Sequence, residues 1–182
     1  MPESIDAVYL VIESRSRALL LGEGGAGYLR QRGQARYYMK QFAEAADDFA
    51  KASSLDTDTG SQSYTDLWAI FAHQRAGKPL PADIAQRASQ HPRGEWPRPA
   101  LAMLAGALSP EDMLKIVNSK TGDELAMTQT EAYFYLGQHD LMVGDRTAAH
   151  EAFEKVRSLG VIQYIEYISS AFELKDLDGA AH

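Results

Sequence analysis

Two stretches of this chain carry the same pattern of small and large residues at identical spacings. The first stretch has Gly33, Phe42, Ala45, Phe49, Ala52 and Leu55, and the second has Gly137, Arg146, Ala149, Phe153, Val156 and Leu159. The offset between them, 137 − 33 = 104 residues, is close to three periods of about 34 residues. A period of this length is typical of stacked helical hairpins, because one hairpin alone cannot bury its apolar face.

The small residues in the pattern predict close contact between the two helices of each hairpin. Gly33 is expected to lie on a first helix and to face Ala45 on the second, as Gly137 is expected to face Ala149. A large residue such as Phe49 then fills the groove towards the next hairpin. The pattern therefore predicts antiparallel hairpins that stack through their apolar sides.

Helix signals extend over the rest of the chain. Strand-like alternation is scarce, and Gly and Pro cluster between helical stretches. Ser109 and Pro110 predict a helix start, because a hydroxyl cap is followed by Pro where no amide donor is needed. A further helix is expected from Trp96 to Leu108.

The predicted organisation is a single all-helical domain over residues 1–182. Its parts are an N-terminal helix and glycine-rich linker (1–25), a clear repeat (26–58), degenerate helices (61–120), a second clear repeat (123–160) and a C-terminal capping helix (161–175).

Composition narrows the classes of partner and compartment. The net charge is −7, which disfavours binding to nucleic acid or to an anionic membrane surface, since both repel an acidic chain. A helix that spans a bilayer needs about 20 consecutive apolar residues, and no apolar run in the chain approaches this length. Direct membrane insertion is therefore not expected. The first residues show neither the positive region nor the cleavage pattern of a signal peptide. The sequence does not decide the compartment. The periplasm or cell envelope is expected if an export signal was removed, and the cytoplasm is expected otherwise.

No catalytic, cofactor or metal motif is recognisable. The chain has no Cys, which excludes thiolate metal sites and a Cys nucleophile. The five His residues lack metal-ligand spacing with a carboxylate on the same helical face. The glycine-rich segment at residues 22–27 follows no strand and precedes no Lys-Ser/Thr pair, so it is interpreted as a linker rather than a phosphate loop. We therefore expect neither an enzyme nor a cofactor or metal site.

The two matched stretches resemble the tetratricopeptide repeat. Leu136-Gly137 and Gly144-Asp145 look like the Leu-Gly and Gly-Asp pairs of that family, whereas Arg32 stands where the first copy would have Leu. The resemblance implies a solenoid of antiparallel helix hairpins wound as a right-handed superhelix, with degenerate repeats in the middle.

The order of several further segments resembles bacterial NlpI-like tetratricopeptide proteins over roughly residues 26–175. These segments are Leu67–Ala72, Glu95–Pro97, Leu104–Ser109, Glu131–Gly137, Glu166-Tyr167 and Glu173-Leu174. The resemblance implies an exported adaptor that brings a periplasmic protease or cell-wall hydrolase to its target. The chain departs from that family in having no Cys that could carry a lipid.

The same resemblance places a binding groove on the first helix of each repeat. The implied partner-binding residues are Arg30, Gln34, Tyr37, Tyr38, Tyr64, Trp68, Phe134, Gln138 and Leu141. An Arg followed one turn later by an amide could hold a peptide carboxylate, and aromatic side chains supply contact area at low entropic cost. The alternative is that these aromatic residues pack between hairpins and that Arg30 is a solvated surface charge.

These observations predict a non-catalytic adaptor or scaffold that binds a peptide or protein. Self-assembly into a homo-oligomer is the alternative function. It is motivated by an apolar stripe on the first predicted helix, formed by Ile5, Val8, Tyr9 and Ile12, which could cap the stack or exchange with a second copy.

Overall fold

A computed structural model of the chain describes residues 25–179, and within this range every regular element is a helix. The helices are α1 (Ala26–Tyr38), α2 (Phe42–Leu55), α3 (Thr59–Ala76), α4 (Ala82–Ser89), α5 (Arg98–Leu104), α6 (Pro110–Asn118), α7 (Gly122–Val143), α8 (Arg146–Leu159) and α9 (Ile165–Gly179). Helices α1 to α3 pack in succession, as do helices α5 to α9, which confirms the all-α, helical-hairpin class. The predicted first helix with its apolar stripe, and most of the glycine-rich linker, lie outside the described residues.

The second helices of the two matched hairpins have coincident boundaries. Helix α2 begins at Phe42 and α8 at Arg146, and the offset at both ends is 104 residues (146 − 42 and 159 − 55). The first helices differ in length, 13 residues in α1 and 22 residues in α7, so the repeat extends to the whole second helix but not to the whole hairpin.

Each repeat glycine contacts a phenylalanine ring. A Cβ atom added at Gly33 would lie 2.9 Å from Cε1 of Phe49, and one added at Gly137 would lie 2.6 Å from Cε1 of Phe153. The predicted facing residue Ala45 is fully buried in the same helix as Phe49, but the atoms nearest the glycine belong to the ring. The close approach therefore accommodates an aromatic side chain rather than two small residues alone.

The chain divides into two compact units, one up to Arg87 and one from Ala88 onwards. In the first unit, α1, α2 and α3 pack in sequence around Trp68. The Trp68 ring stacks on Phe49 of α2, with 5.9 Å between ring centroids. This contact fits the prediction that the repeat phenylalanine packs towards the following hairpin.

The second unit is built around α7. This helix packs against α8, and α9 packs against both of them, while α5 and α6 contact the other part of α7. The long buried stretch of α7 between Thr128 and Asp140 reflects neighbours on several sides. One domain over the whole chain, and the superhelical course that the family resemblance implies, stay predictions.

The middle of the chain shows where local signals succeed and fail. Helix α6 begins as predicted, and the Ser109 hydroxyl accepts a hydrogen bond from the Asp112 amide at 3.1 Å. The helix predicted from Trp96 to Leu108 is wrong at both ends, because α5 covers only Arg98–Leu104. Its C-terminal limit is set by Gly106, whose φ of +72° ends the right-handed helix.

Candidate functional site

The predicted groove residues of the first unit include three with partly exposed side chains: Arg30, Gln34 and Tyr64. We call these three residues the α1–α3 face. Arg30 and Gln34 lie one turn apart on the same side of α1. Arg30 Nη1 donates to Asp56 Oδ2 at 3.3 Å and to Thr65 Oγ1 at 3.2 Å, so this side chain bridges α1 to α3 beside Tyr64.

Arg30 retains donors that point to no described group. Both of its hydrogen bonds use Nη1, so towards residues 25–179 its Nε and Nη2 groups make no hydrogen bond. A guanidinium has five N–H donors in a planar fork that matches a carboxylate. The residue is therefore an internal bridge that still presents hydrogen-bond capacity at the surface.

Three other predicted binding residues are part of the core of the first unit. Tyr37 and Trp68 are each 2% exposed and Tyr38 is 8% exposed. Their rings meet edge to face, with centroids 5.6 Å apart for Tyr37 and Trp68 and 6.0 Å apart for Tyr38 and Trp68. These side chains hold α1 against α3, and any contact they make with a partner stays a prediction.

In the second unit, two of the three predicted residues are enclosed. Phe134 is fully buried against Phe153, with 5.8 Å between ring centroids. Gln138 is 2% exposed, and its Nε2 donates to Glu173 Oε1 at 2.8 Å. Leu141, one turn further along α7, is partly exposed. On α7, Phe134 is thus covered from α8 and Gln138 from α9.

Two of the three arginines of α1, Arg32 and Arg36, share one buried carboxylate on α2. Asp48, whose side chain is 5% exposed, accepts bonds from Arg32 Nε at 2.9 Å, Arg32 Nη2 at 2.6 Å and Arg36 Nη1 at 2.6 Å. Arg32 and Arg36 are visible in the sequence, but their shared partner lies 16 and 12 residues away on α2. Because the two arginines share a single carboxylate, the pairing compensates part of their charge.

A second buried network links α4 to α2 and α3 within the first unit. No pattern of neighbouring residues in the sequence indicates it. Asp66 Oδ1 accepts from Ser53 Oγ at 2.5 Å, and Arg87 donates to Asp66 Oδ2 at 2.8 Å and to Ser53 Oγ at 2.7 Å. The Asp66 side chain is 1% exposed. The three residues belong to three different helices, so their meeting follows only from the packing.

A buried carboxyl on α9 has a raised pKa. Glu166 is 3% exposed, and Tyr135 Oη donates to its Oε1 at 3.0 Å. Burial first, and then the nearby charge of Glu131, raise the pKa of Glu166 to about 7. Glu166 appears in the sequence pattern only as part of the family resemblance, with no sign of its burial.

Within residues 25–179, no group of three or more His, Asp or Glu side chains is placed to hold a metal ion. None of the helices in this range combines the length and apolarity that crossing a membrane requires.

Comparison with known proteins identifies a distant relative. No family model matches the chain. The chain is 27% identical over 150 residues to the lipoprotein NlpI homolog of Haemophilus influenzae, an alignment that covers 80% of this chain. It covers 46% of the relative, so the chain spans about half the length of that lipoprotein. Together with the two matched hairpins, this similarity supports a tetratricopeptide-like family for the chain.

Proposed function

We propose that this chain is a non-catalytic adaptor that binds a protein or peptide through the α1–α3 face. The observation that carries the proposal is the pair of matched helical hairpins, with the same glycine–phenylalanine contact in each. Hairpin repeats of this kind present extended surfaces for binding other chains. The similarity to a lipoprotein supports a partner in the bacterial cell envelope. Our first candidate for this partner is an enzyme that acts in the envelope.

The chemistry of the α1–α3 face supports a partner segment that carries a carboxylate. Arg30 offers its remaining guanidinium donors, and Gln34 offers an amide one turn away that can donate to the same group. Tyr64, the residue before Thr65 on α3, adds partly exposed aromatic area. Because the whole chain is acidic, this local set of donors would select an acidic segment by geometry rather than by long-range attraction.

The test is capture of envelope proteins by the purified chain, followed by affinity measurement with the partner recovered. Gln34→Glu places a negative charge one turn from Arg30 and should weaken binding at least about tenfold, since it opposes a carboxylate ligand. The matched control is Gln31→Glu, which makes the same change on an exposed neighbouring position of α1. If both variants bind as the parent does, the α1–α3 face is not the binding surface; if the parent recovers nothing, the adaptor proposal fails.

Self-assembly remains the alternative prediction. The stripe that motivates it lies outside the described residues, so it rests on the sequence pattern alone. Sedimentation across a range of concentrations distinguishes the two, because an adaptor that acts alone stays monomeric whereas a self-assembling chain shifts to larger species.

A further inference from the structure

Glu166 is held at the interface of α9 and α7 by a neutral donor. Its Oε1 accepts from Tyr135 Oη at 3.0 Å, and its other favourable contact is the backbone N–H in its own helix turn. This N–H, at the positive end of α9, favours the ionised form. Burial outweighs it, because an isolated carboxylate removed from water is strongly disfavoured.

A second carboxyl faces the same interface from α7. Glu131 lies one turn before Tyr135, so both side chains project from one side of the helix. Trp96 Nε1 donates to Glu131 Oε2, and the Trp96 ring stacks on Tyr135 with 6.2 Å between centroids. The two carboxyls therefore flank a single aromatic layer, and the charge of Glu131 opposes ionisation of Glu166.

Within the described residues, titratable and charged groups approach this interface from α7, from the turn before α9, from α9 itself and from α8. From α7 come Glu131 and Tyr135, and from the turn before α9 comes Tyr164, whose pKa is raised by burial and then by Glu131 and Glu166. Glu173, two turns along α9, accepts from Gln138. The Arg157 guanidinium of α8 stacks on the Tyr167 ring at 3.7 Å and donates to the Tyr167 carbonyl at 3.0 Å.

The first repeat lacks this arrangement and so serves as an internal comparison. The residues 104 positions earlier are Gly27 for Glu131, Gln31 for Tyr135 and Gln62 for Glu166. Gln62 donates its amide to the Ser53 carbonyl at 3.0 Å. A neutral amide at this helix start is therefore compatible with packing of the corresponding helix, α3, and the carboxyl pair is particular to the second unit.

We propose that ionisation of Glu166 beside Glu131 loosens α9 from α7, which makes the docking of this helix dependent on pH. The helix is firmly docked while Glu166 carries a proton, and it opens more often once both carboxyls are charged. The folded-state pKa is raised, so the stabilisation is complete below the ordinary value of 4.5 and is lost as pH rises through about 7. The inference concerns only the second unit and is independent of the partner proposed above.

Hydrogen exchange of the full chain tests this, read by mass spectrometry and corrected for the intrinsic pH dependence of exchange. Between about pH 5.5 and about pH 8, protection of the α9 amides should fall roughly 10- to 30-fold in the parent. In Glu166→Gln, which introduces the residue found in the first repeat, this pH dependence should disappear. The matched control is Glu154→Gln, an exposed position on α8, which should behave as the parent does.

A carboxyl titration by NMR gives a readout that does not depend on a variant. With carbon-13 in the glutamate carboxyl groups, the Glu166 resonance should titrate near neutrality, whereas an exposed glutamate titrates near 4.3. Titration of Glu166 at that ordinary value overturns the proposal. So does α9 protection that is independent of pH, or that falls equally in Glu166→Gln.

Discussion

At the scale of single residues, the two repeat glycines are positions where the side chain can be no larger than a hydrogen atom, because a phenylalanine ring occupies the adjacent space. Gly33 faces Phe49 and Gly137 faces Phe153, at distances that a methyl group could not share without movement of the ring. Gly27, also helical, has no heavy atom within 4 Å of an added Cβ. The two kinds of helical glycine therefore predict opposite responses to the same substitution.

Gly137→Ala should destabilise the chain by about 1–3 kcal/mol, because the added methyl group would overlap Phe153 inside a packed core. Gly27→Ala is the control and should stabilise by up to about 1 kcal/mol, since alanine favours the helix. Urea unfolding followed by circular dichroism measures both. A stabilised Gly137→Ala variant would show that the ring moves aside at no cost.

At the scale of elements, helix ends were more predictable than helix surroundings. The bounds of α4 and α8 follow from Gly and Pro punctuation, and the start of α6 follows from Ser109. Helix ends are local, because they depend on capping and backbone conformation over a few residues. Arg87 illustrates the opposite case, since its role depends on Ser53 and Asp66 of two other helices.

Arg87→Met should destabilise the first unit by about 2–4 kcal/mol, because it leaves the buried Asp66 carboxylate without its guanidinium partner. This loss of stability is smaller than for a fully buried ion pair, because the Arg87 side chain is 27% exposed. Asp83→Asn is the control: this exposed residue pairs with the same guanidinium, and its loss should cost at most about 0.5 kcal/mol. Equal effects of the two variants in urea unfolding would contradict the assignment of Arg87 to the buried network.

The sequence names candidate groove residues, but it does not show which of them are exposed. Family resemblance indicates which side of α1 and α7 would line a groove, and Arg30, Gln34 and Leu141 on that side do reach the surface in part. Tyr37 and Phe134 do not, because the next helix packs over them. A single sequence does not reveal how closely a neighbouring helix approaches, so residues for contact with a partner and residues for contact between hairpins look alike.

At the scale of the whole molecule, the two units are predicted to respond to pH in opposite directions. The second unit contains Glu166, whose raised pKa removes stability as pH rises. The first unit contains His73, which is 6% exposed and whose ring nitrogens have no hydrogen-bond partner within the described residues. Burial is the main cause that lowers the pKa of His73, and the positive charge of Lys78 lowers it further.

A lowered histidine pKa means that stability is complete above the unfolded value of 6.5 and is lost as pH falls below it. Between about pH 7.5 and about pH 5, protection of the α3 amides against hydrogen exchange should therefore decrease, whereas protection of α9 increases. His73→Leu should remove the decrease in α3 and leave α9 unchanged. If α3 and α9 changed in the same direction in the parent, one of the two assignments would be wrong.

Asp48 and the two arginines that bond to it, Arg32 and Arg36, form a cluster that has a consequence for folding. The chain contains two nearly equivalent hairpins, so a helix of one hairpin could pair with a helix of the other. The residues equivalent to Arg36 and Asp48 in the second hairpin are Asp140 and Ala152. Misassembly of α7 with α2 would bring the carboxylates of Asp48 and Asp140 together, and misassembly of α1 with α8 would leave Arg32 and Arg36 facing an alanine. The cluster thus distinguishes the correct mate of each helix from its near copy, a discrimination that the shared glycine–phenylalanine contact cannot provide.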